Sequence, residues 1–286
     1  MRTFVLLVMF AMLVAVVSPA LAGDGLDFED MITRLPGDPA NPRFTFTNSN
    51  GGAQGSRDHD GQPSFGGMDV KLTNLVVARG TDGAAWVAAD AKGIVSPDEC
   101  SPGPCRHKNK APPLHVTGVA ELVGDKQWQW VAWHMTEPVS AKDQAYLIKT
   151  NVLPDVLPRA VAAGAEDAVK VFESSIGDPK TFAATVSDRK DVVLYGSEQR
   201  ERAAGGAKVK AKLAAWKLGF KVRDGIQAGL AGKSVAWVAA NVDATGPKQK
   251  TAAPYRVLAL YEKTGTTWKL VQAHFSVDKE TYVEKK

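Results

Sequence analysis

Cysteine is nearly absent from this chain, with two residues in 286. That argues against a multi-disulfide scaffold and against a cysteine-rich zinc framework. Histidine is scarce as well, at five, and no HExxH helix or paired ligand spacing occurs among them, so no metal is expected. No Ser-His-Asp arrangement can be picked out. Gly51-Gly52 and Gly205-Gly206 are loop glycines outside any strand–turn–helix unit that could cradle a phosphate, so no cofactor is expected either. Neither charge sign dominates: 35 Lys and Arg face 31 Asp and Glu, a net charge of +4. The basic residues are not interleaved with aromatics, which argues against a nucleic-acid partner. The cluster Lys208, Lys210 and Lys212 reads as one solvated helix face.

Long apolar runs are missing too, apart from the first residues. Arg2 supplies a short positive region, Phe4 to Val17 is an apolar run, and Ala20-Leu21-Ala22 is a small-x-small site. The run is shorter than the ~20 residues a spanning helix needs, so residues 1–22 are expected to be a cleaved signal peptide. The expected location is secreted or periplasmic, with no membrane association after cleavage. No cysteine lies near the cut, which argues against a lipid anchor. The whole chain is 23% charged and 44% hydrophobic, ordinary for a soluble protein, and its length past the cut suits two domains.

The two cysteines sit in Cys100-Ser101-Pro102-Gly103-Pro104-Cys105. This short Pro/Gly-rich gap can turn back far enough for a disulfide, and export supplies the oxidant. A Cys-Cys-His site with His107 would lack a fourth ligand. Cys100 and Cys105 are therefore expected to be bonded, pinning a local turn. Intact-mass analysis of non-reduced, exported protein after thiol labelling checks this; two labelled cysteines would show the expectation to be wrong.

What is present in abundance is repetition. Ala85-Trp86-Val87-Ala88-Ala89-Asp90 returns as Ala236-Trp237-Val238-Ala239-Ala240-Asn241. Trp128-Gln129-Trp130-Val131-Ala132-Trp133-His134-Met135-Thr136 aligns without a gap on Trp268 to Ser276. Both pairs come in the same order, and the period is too long for a solenoid, so the pattern reads as a domain duplication. In copy two, helices are expected over 161–176, 180–186 and 205–218. Asp178 and Pro179 open the second of these as cap and first residue. Strands are expected at 191–195, 220–230, 235–242, 255–262 and 267–277, the last pair a hairpin about Gly265. Copy one keeps the strands, Met68–Ala78 and His115–Leu122 among them, and loses most helices. Upstream only Asp27–Leu35 looks helical, Phe44–Thr47 reads as a strand, and Asn48–Gly67 as a loop or a partly disordered stretch. Helices grouped before a meander of strands make an α+β pattern. The expected domains are 23–140 and 161–286, with 141–160 as connector.

The order helix–helix–strand–helix and then four strands, closing on Trp268-Lys269-Leu270-Val271-Gln272-Ala273-His274-Phe275-Ser276, resembles the NTF2-like superfamily and its SnoaL-like, ketosteroid-isomerase-like branch. Asp191-Val192-Val193-Leu194-Tyr195-Gly196-Ser197 is similar to that branch's first strand. The resemblance implies two tandem NTF2-like (cystatin-like) cones, each a curved antiparallel sheet with helices on one face, the first copy reduced in helices. It spans binding modules and enzymes alike, so fold does not decide function. One reading is a non-enzymatic module for a small apolar ligand or a protein partner, with the two copies paired as an internal pseudo-dimer; Trp216, Trp268 and His134 are its candidate ligand contacts. The alternative is an isomerase, dehydratase or cyclase with a metal-free acid–base pocket in copy two, using His274, Asp224 and Tyr195. His134 and His274 occupy the same place in the two copies, and that recurrence favours a structural role. Asp224 before Gly225 suits a strand bulge. Trp86 and Trp237, in Ala/Val-rich strands, read as core.

Overall fold

The computed structural model describes residues 43–47, 53–57, 69–94, 113–123, 127–136, 138–140, 157–198, 200–246 and 252–277. The expected signal peptide, the expected helix at 27–35, the Cys100–Cys105 turn and most of the connector lie outside the described residues. Among the described residues no helix is long and apolar enough to cross a membrane.

The strands form two curved sheets. The N-terminal sheet contains β1 (Arg43–Thr47), β2 (Ala53–Arg57), β3 (Asp69–Arg79), β4 (Ala84–Ile94), β5 (Pro113–Val123) and β6 (Gln127–Thr136), in the order β1-β2-β6-β5-β4-β3. The C-terminal sheet contains β7 (Ala160–Val161), β8 (Val193–Tyr195), β9 (Arg202–Ala204), β10 (Gly219–Ala231), β11 (Val235–Thr245), β12 (Ala253–Thr264) and β13 (Thr267–Ser276). Its order is β7-β10-β11-β12-β13-β8-β9. Pairing is antiparallel except for the short β7–β10 and β8–β13 contacts, which are parallel. The expected loop at 48–67 is corrected in part: Ala53–Arg57 is β2, held between β1 and β6.

Three helices are described, α1 (Glu166–Ser175), α2 (Pro179–Thr185) and α3 (Gly206–Ala214). The first starts later than its apolar period suggested, because Ala160 and Val161 pair with β10 and Gly164 turns at φ +91°. Asp178 caps α2 as expected, its carboxylate accepting from Thr181 N at 2.7 Å. The third helix stops at Ala214, leaving Trp216–Leu218 as the link into β10. These helices pack on one face of the C-terminal sheet, where Phe172, Phe182, Leu213, Tyr261 and Phe275 share one core.

The opposite face of that sheet packs on the N-terminal sheet. Trp86, Val119 and Val131 share a second core with Trp237, Leu258, Leu260 and Val271. Both core tryptophans are buried, as expected. Each sheet carries two register shifts at matching places: Thr73/Val76 and Val119/Ala120 in one, Val222/Ile226 and Leu260/Tyr261 in the other. A bulge inserts one residue and moves the following side chains to the other face. Strict alternation along β13 is therefore corrected. Trp268 and Leu270 lie under the helices, whereas Gln272 bonds the Val87 carbonyl, and His274 bonds Thr117, across the sheet interface.

Candidate functional site

Two places gather the chemistry-bearing residues, the interface between the sheets and a cavity at the open end of the C-terminal sheet. At the interface the hydrogen bonds are reciprocal. Thr136 on β6 and Ser276 on β13 end matching strands, two residues beyond His134 and His274. His134 Nε2 meets Ser276 Oγ at 2.9 Å, and His274 Nε2 meets Thr136 Oγ1 at 2.8 Å. The two imidazoles stack, with centroids 4.1 Å apart. Thr117 Oγ1 satisfies the remaining nitrogen of His274 at 2.9 Å. A neutral imidazole donates from one nitrogen and accepts at the other, and a hydroxyl can answer either.

These surroundings hold both histidines neutral. Burial pushes His134 down to about 3, aided by the charge of Arg256. Burial also drives His274 well below the ordinary histidine range, with His134 and His115 adding to it. Beside them lies a chain of polar contacts centred on the β4–β5 pair Asp90 and His115. His115 Nδ1 pairs with Asp90 at 2.9 Å, and Asn74, whose φ is +52° at the β3 bulge, donates to the same carboxylate. Tyr195 stacks on His115 at 4.4 Å, and its hydroxyl accepts from Arg202 Nε at 3.2 Å. Burial would raise Asp90, but the hydrogen bonds from His115, Asn74 and Tyr195 outweigh it and keep the carboxyl below its usual range. The tyrosine phenol is pushed up by burial first and then by the Asp90 charge.

The cavity is separate. About 240 Å³ in volume, it is walled by Trp216, Phe220, Tyr255 and Phe275, with Ser197, Glu201 and Lys217 among its polar lining. Trp216 stands edge-on to Phe220 and Phe275, at 5.7 and 5.2 Å. The end of α3 places Trp216 there, because the helix stops one turn before the β10 strand begins.

The expected convergence of His274, Asp224 and Tyr195 on a C-terminal pocket is corrected, since none of them lines this cavity. The structure brings His274 and Tyr195 together, with ring centroids 5.5 Å apart, but between the sheets. Parallel pairing of β8 with β13 sets Tyr195 directly beside His274. Asp224 lies apart from both, in the β10 bulge, where it accepts from Leu157 N at 3.1 Å and Asn241 Nδ2 at 3.2 Å. Of the expected ligand contacts Trp216 lines the cavity. Trp268 is instead core beneath the helices, with Lys263 over its ring, and His134 belongs to the sheet interface. Residues that the sequence pattern did not single out include His115, Asp90 and Thr117. A signal existed: in the aligned strands Asp90–His115 stands where Asn241–Arg256 does, one cross-strand pair replacing another. Among the described residues no group of three or more His, Cys, Asp or Glu is placed to hold a metal ion.

The helices and sheet that wall the cavity match a known family. Residues 174–279 fit the family model of the SnoaL-like domain. That stretch, a little over a third of the chain, is similar to the SnoaL-like domain. Similar solved structures each correspond to well under half of this chain. An NTF2-like protein of unknown function from Pseudomonas putida shares 15% identity over 41% of this chain and 89% of its own, with a TM-score of 0.33. A protein of unknown function from Pectobacterium atrosepticum shares 20% over 44% and 98%, with a TM-score of 0.32. An NTF2-like superfamily protein from Salmonella enterica serovar Typhimurium shares 15% over 43% and 92%, with a TM-score of 0.33. No curated protein matches the chain. The matched stretch includes the residues that line the cavity as well as His274, Tyr195 and Asp224, while β1–β6 lie outside it.

Proposed function

We propose that this chain is an exported, non-enzymatic binding protein whose SnoaL-like domain takes a small apolar ligand, and whose N-terminal sheet is a built-in partner for that domain. The observation that carries the ligand reading is the cavity wall. Four aromatic rings meet there, and a cleft that is mainly apolar with a few polar groups is the usual form of a small-molecule site. At about 240 Å³ it is a little under the ~300 Å³ lower bound common for such sites, which suits a one- or two-ring molecule. The groups that the catalytic alternative would use are withdrawn from it, His274 and Tyr195 into the sheet interface and Asp224 into the connector anchor.

The partner reading rests on reciprocity. His134 to Ser276 and His274 to Thr136 are the same contact made twice with the strands exchanged. That is the pattern of an isologous, two-fold interface between identical subunits. Found within one chain, alongside the repeated sequence and the matching bulges, it supports a tandem duplication folded as an internal pseudo-dimer. The domain limits we propose are 23–140 and 161–286. The strand β7 begins at Ala160, so the connector would end one residue earlier than the sequence suggested.

The test is a titration with 6-propionyl-2-(dimethylamino)naphthalene, a flat, neutral two-ring fluorescent dye. Dye emission should rise on binding, and Trp216→Ala should weaken binding about tenfold, near 1.4 kcal/mol for the loss of a stacking wall. Equal affinity in Trp216→Ala and in the parent would sink the ligand reading.

A further inference from the structure

The cavity beside Trp216 holds a fixed anion in a largely apolar wall. Glu201 sits in the turn between β8 and β9, whose pairing ends at Tyr195 and Arg202. Both its backbone and its side chain are tied. The Glu201 carbonyl accepts from Gly196 N at 2.6 Å, and carboxylate Oε2 accepts from Glu198 N at 3.1 Å. The side chain lies against Gly196, so close that a Cβ there would overlap the carboxylate. Among the described residues nothing bonds Oε1, and no cation pairs with Glu201. Its charge is felt next door: the Glu198 carboxyl is raised by burial first and then by Glu201, with Lys212 and Arg200 opposing.

The rest of the wall is mainly aromatic, from Trp216, Phe220, Tyr255 and Phe275. Both ring contacts of Trp216 are edge-type, and among the described residues no ring stacks on it. Elsewhere the protein sets its own cations over indoles, Arg189 over Trp86 and Lys263 over Trp268. Trp216 has no such partner among the described residues. A wholly apolar ligand would strip water from the Glu201 carboxylate and leave it unpaired, which costs free energy. An anion would meet both that charge and the electron-rich ring faces. A cation compensates the carboxylate and is attracted by the rings. Lys217, the other charged residue of the lining, is exposed. Its flexible stem lets the ammonium stay in water as the cavity fills.

We propose that the ligand of this cavity is an apolar molecule bearing one ammonium group, its charge answered by Glu201 and its body by the aromatic wall. The charge requirement rests on the cavity being a ligand site, as read above.

The test is displacement of the neutral naphthalene dye from the full chain by three one-ring competitors. Phenyltrimethylammonium and tert-butylbenzene share a shape and differ by a charge, and benzoate is the anion. Phenyltrimethylammonium should displace the dye at lower concentration than benzoate. Glu201→Gln keeps an oxygen for Glu198 N and removes the charge. It should weaken phenyltrimethylammonium about tenfold, and change tert-butylbenzene and the dye by less than about twofold. An equal effect on the charged and neutral competitors overturns the proposal. So does tighter displacement by benzoate that is lost in Lys217→Met, which would make the ligand an anion. The two failures are distinguishable. If the dye does not bind, or ignores Trp216→Ala, the ligand reading falls and the charge requirement with it. If the dye and tert-butylbenzene bind and only the preference for the cation is missing, the charge requirement alone falls.

Discussion

Acidification from about pH 8 to about pH 5 is expected to cost the fold at least about 2 kcal/mol, through His134 alone. This imidazole is buried and pushed down to about 3 in the native state, whereas in the unfolded chain it titrates near 6.5. Above about pH 6.5 neither state binds the proton and stability is flat. Below that value only the unfolded chain takes it up, so native stability falls steadily until pH reaches the depressed native value. One pH unit is worth about 1.4 kcal/mol per histidine, giving about 2 kcal/mol at pH 5. His274 is displaced in the same direction, by burial first and then by its two histidine neighbours, and steepens the loss. Asp90 acts later. Its carboxyl is held below the usual range, so its contribution is present at higher pH and disappears only as pH falls through that lowered value. Urea unfolding at stepped pH measures this. The slope below about pH 6.5 should approach two protons, and His134→Asn should bring it toward one. Identical midpoints at the two ends of the range would contradict the buried neutral pair.

Gly225→Ala is expected to destabilise the protein by about 3 kcal/mol, from overpacking plus lost hydrogen bonds. A Cβ at this position would overlap the Leu157 carbonyl oxygen, the Arg159 nitrogen and the Pro158 carbonyl carbon, all backbone atoms that cannot rotate aside. The same glycine donates to Leu157 O at 2.7 Å, and neighbouring Asp224 receives Leu157 N. Leu157 is buried in the core shared by the two sheets. Pushing residues 157–159 outward therefore breaks the bonds at the bulge and withdraws a side chain from the interface together. Gly177→Ala is the comparison. Its Cβ would meet only the Phe220 carbonyl oxygen, at an ordinary 3.6 Å, so a change within about 0.5 kcal/mol is expected. Denaturant midpoints compared at a shared slope would decide the matter. Equal midpoints for the two variants would mean that the 157–159 segment is not held at the bulge.

Much of the C-terminal sheet was legible in the sequence. The β12–β13 hairpin is two runs of strand formers about Gly265, and α2 opens on Asp178-Pro179, so local chemistry specifies both. The β10 bulge was legible as well, because Asp224-Gly225 interrupts an extended run. Other features were hidden. Strand β2 reads Ala-Gln-Gly-Ser-Arg, poor in strand formers, and exists because β1 and β6 pair with it on either side. The bulge between Leu260 and Tyr261 leaves no mark, since β12 and β13 are buried on both faces and a one-residue slip changes no in-out pattern. That slip decided where His274 points. In the candidate site, Trp216 was readable as an aromatic at a helix end, whereas the rest of the cavity wall comes from strand ends far apart in the chain.

The repeated segments, read alone, determined that this chain has two strand-rich regions, because runs rich in Val, Trp and other strand formers favour strands wherever they occur. They also set His134 and His274 at matching positions of two similar segments. Only the tertiary structure decided that the two histidines meet. Stacking at 4.1 Å and exchange of hydrogen bonds with Ser276 and Thr136 depend on how one sheet lies over the other, a long-range arrangement to which no neighbour in sequence contributes. The same holds for Tyr195, carried to His274 by the parallel pairing of two strands far apart in the chain. Side-chain identity sets what a residue can do. Which groups it does this with is set by the packing of surfaces, and apolar surfaces pack by area and shape rather than by sequence order.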